Sequence, residues 1–355
     1  MSRRPTSPLA RYLAAAYALL VVYGSLHPFA GWREPAGPLL AFLDAPWPRY
    51  FTGFDLAVNV LAYLPLGLLL VPALHPRLSP GAAALLAALS AACLSVSLEV
   101  LQNFLPSRVP SNVDFACNAI GAMLGAFIGL KWGRGLADGG RLHALRTQRV
   151  VAGKAADFGL VLLGLWLFAQ LNPEIMLFGT GDLRTLLGLH ALPYSAGSSI
   201  AVEAAVAGCG TLAAGLLAAT LLRQRSHWAL AALLLAAVAV KTFAGTLLAN
   251  DSPIGQWLTP GNALGLAAGF VALAVAAYLP PLAQRMLAAS ALLLSTALVN
   301  LAPENPYLTT TLAVWQQGHF LNFNGLTKLA SSLWPFAALP FFMLPRGRQP
   351  TGEAP

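Results

Sequence analysis

Charged residues are scarce in this sequence. Lys, Arg, Asp and Glu make up 10% of its 355 residues, whereas an ordinary soluble domain contains about 25%. Hydrophobic residues make up 57%, and the mean hydropathy is +0.67. A soluble fold needs a polar exterior that this composition cannot supply. A soluble enzyme, a nucleic-acid-binding protein and a disordered chain are therefore excluded, and we predict an integral membrane protein whose partners include membrane lipids.

Cysteine is also rare. Cys93, Cys117 and Cys209 each lie in an apolar run, without a CxxC pair or a neighbouring His. This excludes a disulfide framework and a cysteine-based zinc site, so we interpret the three as small packing residues and predict no metal site from them. The N-terminal apolar run, 9–26, resembles a signal peptide. It lacks a convincing A-x-A cleavage site, and we expect an uncleaved first transmembrane helix.

Long apolar runs dominate what remains. A bilayer core requires roughly 20 apolar residues per helix, and the runs are continuous rather than alternating, which excludes a membrane β-barrel. We therefore predict an all-α, polytopic membrane helix bundle with about ten transmembrane helices. The predicted spans are 9–26, 54–74, 81–101, 113–132, 155–171, 199–222, 228–248, 261–279, 286–301 and 326–344.

The basic residues indicate the orientation of these helices. If the N-terminus is cytoplasmic, most of the 21 Lys and Arg residues fall in interior segments. Interior positions are Arg3, Arg4, Arg11, Arg77, Lys131, Arg134, Arg141, Arg146, Arg149, Lys154, Arg223, Arg225, Arg285, Arg346 and Arg348. Exterior loops hold Arg33, Arg49, Arg108 and Arg184. By the positive-inside rule, both termini are predicted to be cytoplasmic, and the net charge of +8 reflects topology.

An internal repeat organises the predicted helices. The segment Asn118-Ala-Ile-Gly121-Ala-Met-Leu-Gly125 recurs 144 residues later as Asn262-Ala-Leu-Gly265-Leu-Ala-Ala-Gly269. An even number of spans per copy makes the copies parallel, so the predicted architecture is a tandem four-helix repeat followed by two helices. The predicted divisions are a four-helix unit at 1–132, a basic cytoplasmic loop at 133–154, a degenerate second unit at 155–280, and two terminal helices with a basic tail at 281–355.

Polar side chains concentrate in the first unit. Ionisable groups inside spans are costly and therefore mark functional candidates. With the N-terminus inside, the three carboxylates of this set share one depth near the outer leaflet. The candidate ligand-binding residues are Asp55, Asn59, Glu99, Gln102, Arg108, Asp114 and Asn118. Residues predicted to permit close helix packing are Pro65, Gly67, Gly121, Gly125, Gly265 and Gly269.

Structural alternatives exist for several of these residues. Asp55 and Asp114 each open a helix, where a carboxylate can cap backbone N–H groups. Arg108 can offset one carboxylate through a bidentate pair. In the second unit, we expect Glu203 and Lys241 to form a buried structural pair.

The ordered set of motifs resembles the VanZ-like family. The carrying residues are Asp55-x-x-x-Asn59, Tyr63-Leu-Pro65-Leu-Gly67, Glu99-Val-Leu-Gln102, Arg108, and Asp114-x-x-x-Asn118-x-x-Gly121-x-x-x-Gly125. The resemblance covers about residues 10–132. It implies a bacterial multi-pass protein of the cytoplasmic (inner) membrane, in a family whose founding member is associated with low-level teicoplanin resistance.

Three functions are compatible with this pattern. The first is a non-enzymatic envelope protein whose outer-leaflet polar site binds a lipid headgroup, a lipid-linked envelope precursor or a glycopeptide-related ligand. The second is an enzyme acting on envelope lipids, with carboxylates as acid and base or with a divalent cation at Asp55, Glu99 and Asp114. The third is a transporter, for which tandem repeats and interrupted helices are typical. We favour the first, with no cofactor.

Overall fold

The chain is helical in the part that the computed structural model describes. That part comprises residues 8–35, 37–48, 52–75, 77–136, 141–172, 174–188, 196–248, 255, 257–303 and 321–343. No β-strand occurs within these ranges. The all-α prediction is therefore confirmed.

A helix occupies each of the ten predicted spans. These helices are α1 (Leu9–Leu26), α3 (Gly53–Leu74), α4 (Pro80–Gln102), α5 (Asn112–Leu136), α7 (Lys154–Ala169), α9 (Ala196–Leu221), α10 (His227–Leu248), α11 (Pro260–Ala276), α12 (Pro281–Leu301) and α13 (Leu321–Met343). Three further helices lie between them: α2 (Ala41–Asp44), α6 (Arg141–Arg149) and α8 (Arg184–Leu187).

Seven helices in the described residues are long and apolar enough to cross a membrane. They are α1, α3, α4, α5, α9, α10 and α12. The 17-residue α11 is a shorter apolar helix, and α7 has only 16 residues. The protein is thus a multi-pass membrane protein, whereas ten crossings and two cytoplasmic termini stay predictions.

The helix starts of α12 and α13 each lie five residues before the predicted spans, and the sequence explains the first of these differences. The structure begins α12 at Pro281 rather than at residue 286, and that proline occupies the first helical turn. Proline suits this position because its missing N–H would be unpaired there anyway. Ser79 and Thr259 cap α4 and α11 through their hydroxyls, and a proline again follows each of them.

The helices form two compact units. The first consists of Met1–Asp157 with Gly318–Leu326, and the second of Phe158–Gln317 with Thr327–Pro355. The first therefore contains α1 to α6, and the second contains α8 to α12. The finer domain boundaries expected from the sequence stay predictions.

Glycines bring α3 and α5 into direct backbone contact in the first unit. A Cβ at Gly121 would overlap the Val60 carbonyl, and one at Gly125 would overlap the Leu64 carbonyl. From the other side, Gly67 lies against the backbone of α5. The small-residue stripe therefore permits a close helix approach, as expected for these positions.

The second unit contains the same kind of contact between α9 and α11. A Cβ at Gly265 would overlap the Ala204 carbonyl, and one at Gly269 would lie 2.9 Å from the Gly208 carbonyl oxygen. Every one of these four positions lies 144 residues after its counterpart in the first unit. The two helix pairs therefore pack through matched backbone positions.

A buried, non-helical segment distinguishes the second unit. After α7, the described residues 170–172 and 174–183 form no regular helix, and Leu177 and Phe178 are each 1% exposed. The N–H of Gly181 donates to the Ser331 carbonyl over 2.9 Å. That carbonyl lacks its helical donor because Pro335 has no N–H. The segment thus supplies a hydrogen-bond donor to the Ser331 carbonyl inside α13. Irregular backbone is tolerated in membrane proteins only where it is buried in this way.

Candidate functional site

Polar residues from α3, α4 and α5 meet at one end of the first unit. The helices bring together the start of α3, the end of α4 and the start of α5, so that side chains distant in sequence make direct hydrogen bonds. We call this set the polar cluster; its members are Asn59, Ser95, Glu99, Ser111, Asp114 and Asn118.

Asp55 acts as a helix cap. Its carboxylate accepts from the N–H of Thr52 over 2.9 Å and from the Thr52 hydroxyl over 2.7 Å. In return, the Asp55 N–H donates to the Thr52 hydroxyl over 3.2 Å. This reciprocal pattern is a capping box, so the structural alternative for Asp55 is realised.

Asp114 has a different role. The amide of Asn59 donates to its carboxylate over 2.7 Å, which joins α3 to α5. The cap of α5 is instead provided by Ser111, whose hydroxyl accepts from the Asp114 N–H over 3.3 Å. The capping alternative therefore fails for the Asp114 carboxylate, which is turned towards the neighbouring helix.

Glu99 completes the start of α5 from another helix. Its carboxylate accepts from the Ser111 N–H over 2.9 Å, the donor that an Asp at the position of Asp114 would take in a capping box. Glu99 is only 3% exposed. The Glu99 carboxylate on α4 thus takes the capping position at the start of α5. The Asp114 carboxylate remains bonded to Asn59.

The polar cluster extends one turn deeper through Asn118. Its amide nitrogen donates to the Ser95 hydroxyl over 3.0 Å. Its side-chain oxygen is buried without a hydrogen-bond partner among the described residues. An unpaired buried acceptor is costly. Asn118 lies one helical turn after Asp114 on α5, and its partner Ser95 lies one turn before Glu99 on α4.

Gln102 and Arg108 turn towards the end of α1. Gln102 donates to the Ser25 carbonyl over 3.1 Å. The guanidinium of Arg108 donates to the His27 carbonyl over 2.5 and 3.1 Å and to the Gly24 carbonyl over 3.3 Å. Cationic donors stabilise helix C-terminal carbonyls in this way.

No ion pair within 4 Å joins Arg108 to Glu99 in the described part of the chain. Burial lowers the pKa of the Arg108 guanidinium, and the charge of Glu99 opposes this shift. The bidentate pair that Arg108 could form with a carboxylate is therefore not found with Glu99. Arg108 donates to the backbone carbonyls of Gly24 and His27, and its charge acts on Glu99.

The expected pair of Glu203 and Lys241 in the second unit is also wrong. Lys241 is 4% exposed, and its ammonium donates to the carbonyls of Asn172 and Ile175 over 2.5 and 2.6 Å. Glu203 accepts from the Thr259 hydroxyl over 2.5 Å. The long lysine side chain reaches the buried loop after α7, where several carbonyls need donors.

Metal-binding geometry is not found in the described residues. No group of three or more His, Cys, Asp or Glu side chains there could hold a metal ion. Asp55, Glu99 and Asp114 instead have the separate hydrogen-bond partners given above.

Ser95 and Ser111 belong to the site but were not singled out from the sequence. A local signal existed for Ser111, because Ser111-x-x-Asp114 has the spacing of a capping box. Ser95 lies one turn before Glu99 in an apolar span. Only the helix packing shows that it faces Asn118.

Comparison with known proteins agrees with the region that these contacts define. A family model described as VanZ/LLP1 matches residues 10–132, about a third of the chain, containing α1 to α4 and most of α5. No curated protein and no solved structure matches the chain. The resemblance to the VanZ-like family is thus confirmed for residues 10–132, the part of this multi-pass membrane protein that holds the polar cluster.

Proposed function

We propose that this protein is a bacterial envelope protein whose polar cluster binds the headgroup of a lipid, a lipid-linked envelope precursor or a glycopeptide-related ligand. The observation that carries the proposal is the pair of carboxylates on α4 and α5. Glu99 is buried and Asp114 is half-buried, and each is held by a hydrogen bond between different segments. Buried carboxylates are expensive inside a membrane bundle, so their retention favours a function.

Charge complementarity narrows the class of ligand. Three carboxylates, those of Asp55, Glu99 and Asp114, lie at this end of the unit, and the guanidinium of Arg108 acts on one of them, Glu99. The donors of Arg108 are directed at carbonyls. A headgroup that brings a cationic amine or several hydrogen-bond donors would compensate the remaining negative charge. The unpaired Asn118 oxygen offers such a ligand a further acceptor.

The proposed location is the outer leaflet of the cytoplasmic membrane. The bond from Asn59 to Asp114 and the bond from Ser111 to Glu99 support a common depth for the start of α3, the end of α4 and the start of α5. With a cytoplasmic N-terminus, as the distribution of cations favours, this end faces outward. The ligand would then enter from the outer leaflet or from the envelope.

A tandem origin of the two units is part of the proposal. It is supported by the matched contacts of Gly121 and Gly265, and of Gly125 and Gly269, at one constant offset. The second unit lacks counterparts of Glu99 and Asp114. Binding of an amine- or donor-bearing ligand by carboxylates is therefore assigned to the first unit alone.

A transport function is the second candidate. It is favoured by the irregular backbone of residues 170–172 and 174–183, which contacts α13 at Pro335, a proline inside that helix. Irregular backbone beside helices is typical of the binding sites of many transporters. Counterflow of a lipid precursor or headgroup in proteoliposomes would support this candidate over simple binding.

Binding to the purified full-length protein tests the main proposal. Phosphatidylethanolamine, phosphatidylcholine, a lipid-linked disaccharide precursor and teicoplanin would be titrated and measured by native mass spectrometry. We expect saturable binding of at least one amine- or donor-bearing probe. Glu99→Gln with Asp114→Asn should weaken it by at least about tenfold, the effect of roughly 1.4 kcal/mol.

Asp44→Asn is the matched control, because Asp44 is an exposed carboxylate on α2 of the same unit. It should bind the probe like the unsubstituted protein. Equal binding by the control and by the double variant would contradict the proposal. Conversion of a bound precursor to a new product would instead support the carboxylate-based enzyme.

A further inference from the structure

A basic cavity of about 350 Å³ lies at one end of the second unit. It is formed where α9 ends, α10 begins, α11 ends and α12 begins. Its ionisable lining residues are Arg223, Arg225, His227 and Arg285, and none of its described lining residues is acidic. A concave site lined by cations of one sign concentrates anions.

The cavity wall is held in place by contacts around Tyr278. The guanidinium of Arg225 lies over the Tyr278 ring, 5.2 Å from its centre, and donates to its carbonyl over 3.4 Å. The ring of His227 lies 2.9 Å from the Tyr278 hydroxyl. These interactions fix two of the basic groups against the end of α11, so the site is partly ordered without a ligand.

A buried glutamine closes the floor. Gln284 is 8% exposed, and its amide donates to the carbonyls of Ala277 and Leu279 over 2.9 and 3.0 Å. It thereby satisfies carbonyls at the end of α11 that would otherwise present negative partial charge to the cavity. The remaining electrostatic character of the lining is positive.

Two helix starts add to this field. The helices α10 and α12 begin at His227 and Pro281, both lining residues. The first residues of a helix carry partial positive charge and suit anions, phosphate in particular. Three guanidinium groups and two helix starts together favour a phosphate group over an uncharged, apolar ligand.

Exposed apolar side chains lie beside the basic residues in sequence. Trp228 is 87% exposed next to His227, and Met286 is 63% exposed next to Arg285. Leu282, which follows Pro281, is 62% exposed. In a membrane protein such side chains face acyl chains, and tryptophan prefers the interface.

We propose that this cavity binds the phosphate-bearing headgroup of an anionic phospholipid, whose acyl chains lie along the exposed apolar residues of α10 and α12. A soluble phosphate compound would bind the same cations but would make no apolar contact with the flanking Trp228, Leu282 and Met286. The site is distinct from the polar cluster, because it lies in the other unit and selects for the opposite charge. The predicted orientation places it at the cytoplasmic leaflet.

Native mass spectrometry of the full chain in detergent tests the proposal. Phosphatidylglycerol, cardiolipin and phosphatidylcholine would be titrated separately on the full chain carrying Glu99→Gln and Asp114→Asn, so that binding at the polar cluster does not contribute, with inorganic phosphate as a competitor. We expect tighter binding of the two anionic lipids than of phosphatidylcholine. The triple variant Arg223→Gln, Arg225→Gln, Arg285→Gln should lose at least about tenfold in affinity for phosphatidylglycerol, because each cation near a membrane surface attracts anionic lipid.

Two variants separate loss of charge from loss of structure. Replacing the same three arginines by lysine retains the charge and should retain the lipid preference. Arg77→Gln, an exposed arginine in a loop of the first unit, should leave it unchanged. Equal affinity for phosphatidylglycerol and phosphatidylcholine, or equal affinity of the triple glutamine variant and the chain that retains the three arginines, would overturn the proposal. Binding of inorganic phosphate without any lipid preference would also overturn it.

Discussion

The two units use the same helix packing for different polar chemistry. In each, glycines of one helix lie against carbonyls of another at positions separated by 144 residues. Asn59 bonds to Asp114 in the first unit, and Glu203, its counterpart at the same offset, bonds to Thr259. Backbone packing therefore constrains the glycines, whereas the polar residues around them vary between the units.

In each unit a cation donates to a backbone carbonyl that follows a helix, from a half-buried arginine in the first unit and a buried lysine in the second. Arg108 donates to the His27 carbonyl, and Lys241 donates to the Asn172 carbonyl. These two carbonyls are 145 residues apart and each precedes a proline. The cations themselves come from different places, a loop in the first unit and α10 in the second. In both units, the carbonyl before this proline accepts a hydrogen bond from a cationic side chain, but the cation comes from a different element in each unit.

The largest expected effect comes from filling the helix contacts. Gly125→Val should force α3 and α5 apart, because its Cβ would overlap the Leu64 carbonyl. Overpacking of this kind costs about 1–3 kcal/mol or more. Gly269→Val tests the matched contact in the second unit. Monodisperse yield and thermal unfolding in detergent would measure both.

Gly164→Ala is the control for these substitutions, since nothing lies within 4 Å of a Cβ at this helical position. It should be neutral or slightly stabilising. Wild-type behaviour of Gly125→Val would show that α3 and α5 do not pack through their backbones.

A somewhat smaller loss is expected from removing the two cations, Lys241 and Arg108. Lys241→Met would leave the carbonyls of Asn172 and Ile175 without this donor, which is destabilising, but it also removes the desolvation cost of a buried charge, so part of the loss is offset. Arg108→Met should destabilise less, because Arg108 is only half-buried and its carbonyls lie closer to water. Thermal unfolding of the two variants in the same detergent would rank them. If Arg108→Met lowered stability more than Lys241→Met, the greater burial of Lys241 would not explain the ranking, and this account of the two cations would be contradicted.

The smallest expected effect concerns pH. Burial, and secondarily the charge of Arg108, lowers the pKa of His27. The unfolded chain therefore binds a proton more readily than the folded one, so stability falls as pH drops through the unfolded value of about 6.5. His27→Asn, which introduces the residue found at position 172, should remove part of that loss, and the effect is small because the imidazole is only partly buried. Melting curves at pH 7.5 and below pH 6 would measure the difference. An unchanged pH dependence would mean that His27 does not titrate differently in the folded state.

Much of the fold follows from the sequence, because apolar runs of membrane length are unambiguous. All ten predicted spans are helical, and the glycine contacts were anticipated from the spacing of Gly121 and Gly125. The buried course of residues 170–172 and 174–183 could not be anticipated, because it depends on the carbonyl freed by Pro335, about 150 residues away in sequence. The early start of α12 was missed although Pro281 is a good helix-starting residue.

The candidate site was only partly predictable. The sequence places Glu99, Asp114 and Asn59 in neighbouring spans, but not which groups bond. Side-chain reach decides this: Glu99 takes the Ser111 N–H, while Arg108 and Lys241 extend to carbonyls instead of carboxylates. The spacing of residues along a helix predicts which face of the helix a residue occupies. It does not predict which group the terminal atoms of a long side chain will contact. This is why the expected pair of Glu203 and Lys241 was wrong, and why Arg108 is not paired with Glu99.

The central claim is that the carboxylates of the polar cluster are functional rather than structural. Complementation of a deletion strain, with membrane abundance measured in parallel, tests it most directly. We predict that Glu99→Gln and Asp114→Asn reach wild-type abundance but fail to restore the phenotype, whereas Glu203→Gln in the second unit restores it. If the Glu99 and Asp114 variants complement as well as the unsubstituted protein, the cluster is a structural network and the claim is contradicted.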